Sequence, residues 1–345
     1  MRDRTLREIV AGIDRRIEGL FEEAPPGVRG DIFTPPSRSP VVDQVRDLAL
    51  RSGKRLRPAM LVCGAALFEE SAIGDPGVVD AAAALELMHV YFLIHDDIMD
   101  EDEVRRGGPS AHAALAAATG DRKLGRDLAI LCGDMAMALH GELIAGMAAP
   151  EDRYRLAVSL FARMHRDVIH GQELDLIQSA NPEEIALRKT ASYTTVGPLA
   201  IGGALGGAGG DSLDILAGIG VPLGVAFQLR DDVLGVFGDT AVTGKPVGTD
   251  LERGKRTYLI GEAVARADAG QREILDRVLG NARASDDDRA AARGILVDTG
   301  ALEACEDRIA QLLGDAVSRI DEGGFLPEGR RLLLEMADIL VARRT

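Results

Sequence analysis

Two pairs of adjacent aspartates are the residues of this chain best placed to do chemistry. Asp96 and Asp97 stand in HDDIMDEDEVRRG, with Asp100 four residues after Asp96; Asp231 and Asp232 stand in FQLRDDVLG. Each pair follows an apolar stretch with helical periodicity. Carboxylates there are costly unless a cation or a hydrogen-bond partner compensates them. On a helix Asp96 and Asp100 share one face. Two such faces opposed across a cavity would bind hard divalent cations, and Mg²⁺ takes few protein carboxylates, completing its octahedron with water and phosphate oxygens. The aspartates therefore imply a diphosphate held through metal ions. A lone DDxxD is more often a solvated acidic helix face, so the neighbouring cations decide between the two readings.

Those cations form three clusters. In GKRLRP (53–58), Lys54 and Arg57 fall at i, i+3 on one side of a helix-like turn; Arg105-Arg106-Gly107 follows the first acidic run; Lys189-Thr190 opens KTASYTTVGPL. Arginine offers a planar fork of donors and lysine a compact point charge, and both suit phosphate oxygens. A single cluster reads as a surface ion pair worth ~0–1 kcal/mol. In a chain of net charge −15, three basic clusters beside apolar stretches point to anionic ligands.

These motifs, in order, resemble the trans-isoprenyl diphosphate synthases, the polyprenyl synthetase family that includes farnesyl and geranylgeranyl diphosphate synthases. The resemblance rests on GKRLRP at 53–58, LELMHVYFLIHDDIMDEDEVRRGGPSAH at 85–112, GQELDL at 171–176, KTASYT at 189–194, FQLRDDVLG at 227–235 and GKPVGTDLERGKRT at 244–257. It covers about residues 50–260; the C-terminal segment carries no readable motif.

The resemblance implies roles for particular residues. Asp96, Asp100 and Asp231 would bind Mg²⁺, about three ions per site with Mn²⁺ as a substitute, and Asp97, Asp232, Gln172 and Asp175 would support them. Arg105, Lys189 and Lys245, joined by Lys255, would hold an allylic diphosphate. Lys54, Arg57, His89 and Arg106 would hold isopentenyl diphosphate without metal. Thr190 and Gln228 would face the carbocation formed when diphosphate leaves. His89 sits seven residues, two helical turns, before Asp96; a histidine in an apolar run is otherwise usually a hydrogen-bonded core side chain, the reading given to His95. The second motif ends in Gly235 where many relatives carry a further aspartate, which should cost affinity or selectivity and leave the reaction in place.

Product length is expected to follow from Tyr91 and Phe92, five and four residues before Asp96. Both are large, Phe92 lies one turn above Asp96 on the same face, and paired aromatics there resemble the farnesyl-forming pattern. The expected product is farnesyl diphosphate (C15), ahead of geranylgeranyl diphosphate (C20). A class I terpene cyclase would have no use for GKRLRP, and a non-catalytic subunit of a heteromeric synthase would tend to lose the acidic motifs.

The elements that must position these residues read as helices throughout. Alanine and leucine dominate, tryptophan is absent, and no alternating strand-like stretch appears. VRDLALRSG, DLAILCGDMAMALHGELIAGM and RRLLLEMADILVARR carry helical periodicity. The expectation is one all-α domain over 1–345, a helical bundle around a central cavity. An amphipathic helix over 2–20 and a loop with five prolines over 24–41 precede the motif-bearing core, and helices 261–345 follow it. GGALGGAGG (202–210) has no strand before it and reads as close helix packing or a helix break. GVFGDTAVTGKP departs from a phosphate-binding Walker loop in its glycine spacing and in Pro246.

The apolar run ending at His95 is long enough to cross a membrane, but Asp80, Glu86, His89 and His95 favour a buried core helix. The charged first residues lack the apolar core of a secretory signal, and Cys63, Cys132 and Cys305 show no metal spacing and read as reduced core thiols. A cytoplasmic homodimer is expected. The acidic balance excludes nucleic acid and disfavours anionic membrane surfaces.

Overall fold

A computed structural model describes residues 3–22, 39–177, 182–238, 249–255, 257–281 and 283–341. The amphipathic start forms α1 (Arg4–Leu20), capped by Asp3 and burying Leu6, Ile9, Ile13 and Ile17. Pro40 opens α2 (Pro40–Leu50) instead of continuing the loop: Ser39 caps the helix and proline fits its first turn, where no N–H is needed. α3 (Leu56–Ala66) is buried along nearly its whole length. α4 (Pro76–Asp100), started by an Asp75 cap and Pro76, runs through the centre and carries the first acidic motif at its C-terminal end.

Among the described residues the only extended pair is a two-residue hairpin, β1 (Val104–Arg105) with β2 (Gly108–Pro109), Arg105 facing Gly108. The sequence shows no alternation here because two residues are too few to alternate. Arg106 and Gly107 form the turn with φ of 50° and 73°, the positive values that a tight type I′ hairpin needs at both central positions.

α5 (Ala111–Thr119), α6 (Arg122–Gly146) and α7 (Glu151–Leu176) follow. A short α8 (Pro182–Ile185) leads into a π-helix (Ala186–Val196) and then α9 (Gly197–Gly206). α10 (Gly210–Phe237) carries the second acidic motif. The remaining helices are α11 (Thr249–Glu252), α12 (Tyr258–Arg266), α13 (Ala269–Val278), α14 (Asp286–Asp298), α15 (Ala301–Glu322) and α16 (Pro327–Val341).

α4 packs on α6 and α3, α3 on α9, and α10 on α15 and the π-helix, around one continuous apolar core. The glycine-rich stretch serves as close packing and as a stop. A Cβ on Gly202 would lie 1.9 Å from the Leu61 carbonyl oxygen, and α9 ends at Gly207 with φ 98°. α4, α6 and α10 are each long and apolar enough to cross a membrane, by length and composition. α4 is the most buried of the three inside the bundle, and α6 the least. Arg230 ties α10 to the C-terminal helices, pairing with both Glu306 oxygens at 2.6 Å and donating to the Val341 carbonyl at 3.0 Å.

Candidate active site

The π-helix is the element that brings the two acidic motifs into one network. Its widened turn displaces side chains relative to an α-helix, and such insertions concentrate at functional sites. It lies between α7 and α10: a Cβ on Gly171 of α7 would meet the Lys189 backbone nitrogen at 2.4 Å, so only glycine permits that approach. From this position Lys189 reaches Asp96 Oδ1 at 3.6 Å and donates to Asp175 of α7. The adjacent Thr190 donates to Gln228 Oε1 at 2.5 Å, and Gln228 Nε2 donates to Asp232 Oδ1 at 2.7 Å. Lys189 thus meets the first acidic motif directly, and its neighbour Thr190 reaches the second through Gln228.

The α4 aspartates differ in environment. Asp97 is fully buried and accepts from Arg105 Nε at 2.7 Å; Arg105 also lies 3.4 Å from Asp102 and 3.9 Å from Asp96. Asp97 therefore anchors Arg105, while Asp96 and Asp100 are partly exposed. Burial and the neighbouring Asp96 raise the Asp100 carboxyl, against the opposing charges of Lys189, Arg253 and Lys255. Burial would lower the Lys189 ammonium, but Asp96, Asp175 and Asp100 outweigh it and hold it above its ordinary value. Asp231 sits half-buried beside Asp232 on α10.

A second, cationic wall lies at the start of α3 and the hairpin. Lys54 is exposed and precedes α3, so it and Arg57 do not share a helical turn. The reason is Arg55, which caps α3 in the left-handed region with φ 48°. Arg57 lies over the Tyr193 ring at 4.1 Å and stands 3.4 Å from His89 Nε2, a cation–π contact within the usual 6 Å. Burial and the surrounding Arg57, Arg106, Arg105 and Arg55 push the His89 imidazole well below its ordinary value, so it is neutral. Among the described residues, Arg57 Nε and His89 Nδ1 are buried without hydrogen-bond partners. Arg106 donates to Glu86 Oε1 at 2.8 Å and to the Leu48 carbonyl at 3.1 Å.

Between the walls, Phe92 contacts Tyr193 and His165 at ring distances of 5.6 and 5.5 Å. Tyr91 contacts His95 at 4.7 Å and His165 at 5.5 Å, and burial with the nearby Asp134 of α6 raises its phenol. His95 packs on α6, where a Cβ at Gly133 would strike its ring.

Lys245 lies outside the described residues. Lys255 is exposed near Asp100, and Gln172 Nε2 is buried without a hydrogen-bond partner among the described residues. Sequence reasoning missed Glu86, Tyr193 and Arg253, whose guanidinium lies 3.4 Å from Asp100 and donates to Asp102. Glu86 had one available signal, a carboxylate inside an apolar helical run; Arg253 and Tyr193 had only their place within basic and KT-containing motifs.

A metal at this site must rely on few protein oxygens. No three described carboxylates, histidines or cysteines converge closely enough to hold an ion by themselves. The donor set nevertheless fits a hard cation completed by substrate and water: Asp96 Oδ1 is buried without a hydrogen bond, with Asp100 one turn away.

The polyprenyl synthetase family model matches residues 39–296. The chain is 36% identical over 306 residues to the geranylfarnesyl diphosphate synthase of Aeropyrum pernix, covering 84% of this chain and 90% of that protein. The chain belongs to the polyprenyl synthetase family. This synthase is also 34% identical to the farnesyl diphosphate synthase of Escherichia coli, over 80% of this chain and 91% of that one. A crystal structure of geranylgeranyl pyrophosphate synthase from Corynebacterium glutamicum, complexed with isoprenyl diphosphate and magnesium, superposes with a TM-score of 0.87 at 32% identity, covering 98% of this chain and 99% of that chain. The all-α fold is that of prenyl synthases, and the synthase is a short-chain prenyltransferase.

Proposed function

We propose that the synthase condenses isopentenyl diphosphate with an allylic diphosphate of five, ten or fifteen carbons, in the presence of Mg²⁺, and releases mainly farnesyl diphosphate. The observation that carries this reading is the network in which Lys189 pairs with Asp96 and Thr190 reaches Asp232 through Gln228, while Asp96 Oδ1 is buried without a hydrogen bond among the described residues. Asp96, Asp100 and Asp231 would hold divalent cations, which supply charge neutralisation of the departing diphosphate. Lys189, Arg105 and Lys255 face that leaving group, with Lys245 assigned by motif. As the C1–O bond of the allylic substrate breaks, the electron pair leaves with the diphosphate. Fixed cations help most here because charge develops there in the transition state. The Thr190 and Gln228 oxygens face the carbocation.

Isopentenyl diphosphate is held by Lys54, Arg57, Arg106 and neutral His89, without metal. Its double bond attacks C1, forming the new C–C bond, and a proton passes from its C2 to the released diphosphate. The Phe92 and His165 rings, 5.5 Å apart, would limit growth of the product chain past α4, which supports a C15 product. One observation favours C20 as a second reading: Tyr91 packs on His95 and His165, and only Phe92 also meets Tyr193.

We further infer a single catalytic domain, supported by the continuous core, and a cytoplasmic homodimer. Supporting the dimer are the exposed Leu124, Ile130 and Leu131 on α6; the three buried free thiols fit a reducing compartment. The test is to incubate the purified chain with Mg²⁺, isopentenyl diphosphate and each allylic starter, then separate the products by chromatography. Farnesyl diphosphate should dominate. Release of a cyclic hydrocarbon without isopentenyl diphosphate would establish a cyclase, and inactivity of the chain alone a partner-dependent subunit.

A further inference from the structure

Three described residues other than glycine adopt positive φ, and two of them, Arg55 and Arg106, send their guanidinium groups to the same oxygen. That oxygen is Glu86 Oε1, at 2.6 Å from Arg55 Nη1 and 2.8 Å from Arg106 Nη2. The Glu86 side chain is 1% exposed and sits one helical turn before His89. Left-handed arginines persist only where the surroundings over-determine them, and such positions concentrate at ligand clamps. Arg55 sets the start of α3 and so the placement of Lys54 and Arg57; Arg106 forms the hairpin turn beside Arg105.

The two segments are tied a second time. Arg51 donates to the Arg105 carbonyl at 3.0 Å and the Pro109 carbonyl at 2.8 Å. Arg55 also pairs with Asp14 of α1 at 2.7 Å and donates to the Ala49 carbonyl at 2.6 Å. Arg55 itself is spent on these contacts, its side chain 2% exposed.

We infer that Glu86 is the positioning residue of the isopentenyl diphosphate site: it locks Arg55 and Arg106 into strained conformations that aim Lys54, Arg57 and Arg106 at one diphosphate, and through Asp14 it makes α1 part of that site. This rests on the function proposed above. Charge and geometry pull in opposite directions here. A carboxylate behind a cationic wall lowers its attraction for an anion, but two buried guanidinium groups without it would repel each other and release the strained turns.

The test compares wild type with Glu86→Gln and Glu86→Asp. Wild-type turnover of isopentenyl and geranyl diphosphates with Mg²⁺ comes first; its absence overturns the proposed function and not merely the role of Glu86. Isopentenyl diphosphate alone has no allylic partner to react with, so its affinity can be titrated directly. Glu86→Gln should weaken its Kd at least tenfold and raise its KM to match, while the allylic KM stays within twofold. Glu86→Asp keeps the charge but draws the oxygen back by one methylene, and should show a smaller loss of the same kind. Unchanged or tighter binding of isopentenyl diphosphate, or equal weakening of both substrates, overturns the inference. Should Glu86→Gln fail to fold, the same comparison on Glu86→Asp decides.

Discussion

The cationic and acidic walls of the cavity solve opposite problems. On the cationic side each arginine has a partner supplied by the scaffold: Arg55 and Arg106 share Glu86, and Arg57 rests on Tyr193. Among the described residues, its donors Arg57 Nε and His89 Nδ1 are buried without hydrogen-bond partners. On the acidic side the cations are paired with the aspartates themselves: Lys189 with Asp96, Arg105 with Asp97 and Asp96, Arg253 with Asp100 and Asp102. A diphosphate can enter the first wall by filling vacant donors. On the proposed reading, entry to the second would exchange counter-ions: Lys189, Arg105 and Arg253 would turn from carboxylate to phosphate, and Asp96 and Asp100 would be left to hold divalent cations. On that reading the first wall is preorganised and the second would be completed by its ligands, so binding there should require metal and diphosphate together.

The largest expected effect breaks the acidic wall. Asp96→Ala and Asp231→Ala should each fold normally and lose on the order of a thousandfold in kcat, the scale of removing charge stabilisation from the transition state. Steady-state turnover beside a circular dichroism spectrum checks this; near-wild-type kcat in either variant removes that aspartate from the metal set. Next in size is the contrast between walls. Arg57→Ala should raise the KM for isopentenyl diphosphate about tenfold or more and spare the allylic substrate, and Lys189→Ala should do the reverse. A charged hydrogen bond is worth ~1.5–3 kcal/mol. Equal shifts in both KM values would mean that the walls do not divide the substrates.

What the sequence made legible follows the same division. The residues of each acidic motif, and Lys189 with Thr190, are neighbours in short runs, and the helices that carry the acidic motifs follow from apolar periodicity. The cationic wall is built from long-range contacts that no local pattern encodes: Glu86 meets arginines from two other segments, and Arg57 meets a tyrosine of the π-helix. Arg55 and Arg106 gave no turn signal because arginine, unlike glycine or asparagine, is not a residue expected at positive φ. Pro40 was absorbed into a proline-rich stretch although its partner Ser39 is a helix cap. The π-helix has no sequence signal of its own: Thr190, Ser192, Tyr193, Thr194, Thr195 and Val196 are weak helix formers, and the element is held by its packing between α7 and α10.

A smaller effect concerns the space between the walls. Phe92→Ala removes the ring that touches both Tyr193 and His165 and should shift products from C15 toward C20 or longer, read by chromatography. Tyr91→Ala should shift them less, because that ring leans on His95 and α6. If both variants keep the wild-type distribution, this end of α4 does not set length.

The smallest expected effect uses pH to separate the walls. His89, His140 and His165 all titrate below their ordinary value of 6.5, chiefly through burial. A group whose folded pKa is depressed is neutral in the folded protein while the unfolded chain protonates, so the unfolded state binds more protons below about pH 6.5 and stability falls as pH falls through that region. Stability from these histidines is present above pH 6.5 and lost progressively below it, and Tm should drop by a few degrees between pH 7 and 5.5. Only His89 is also held down by four arginines. A diphosphate bound among those arginines offsets their charge, eases protonation of His89, and should flatten the Tm-against-pH curve. His140 and His165 lie away from that cluster and should keep their share of the slope. Thermal melts with and without isopentenyl diphosphate, for wild type and His89→Gln, measure the difference; the ligand's own diphosphate titrates in this range but contributes alike to both proteins. The ligand should flatten the curve in wild type more than in His89→Gln. Equal flattening in both would mean that His89 does not sense the bound anion, and that the cationic wall closes on its substrate elsewhere.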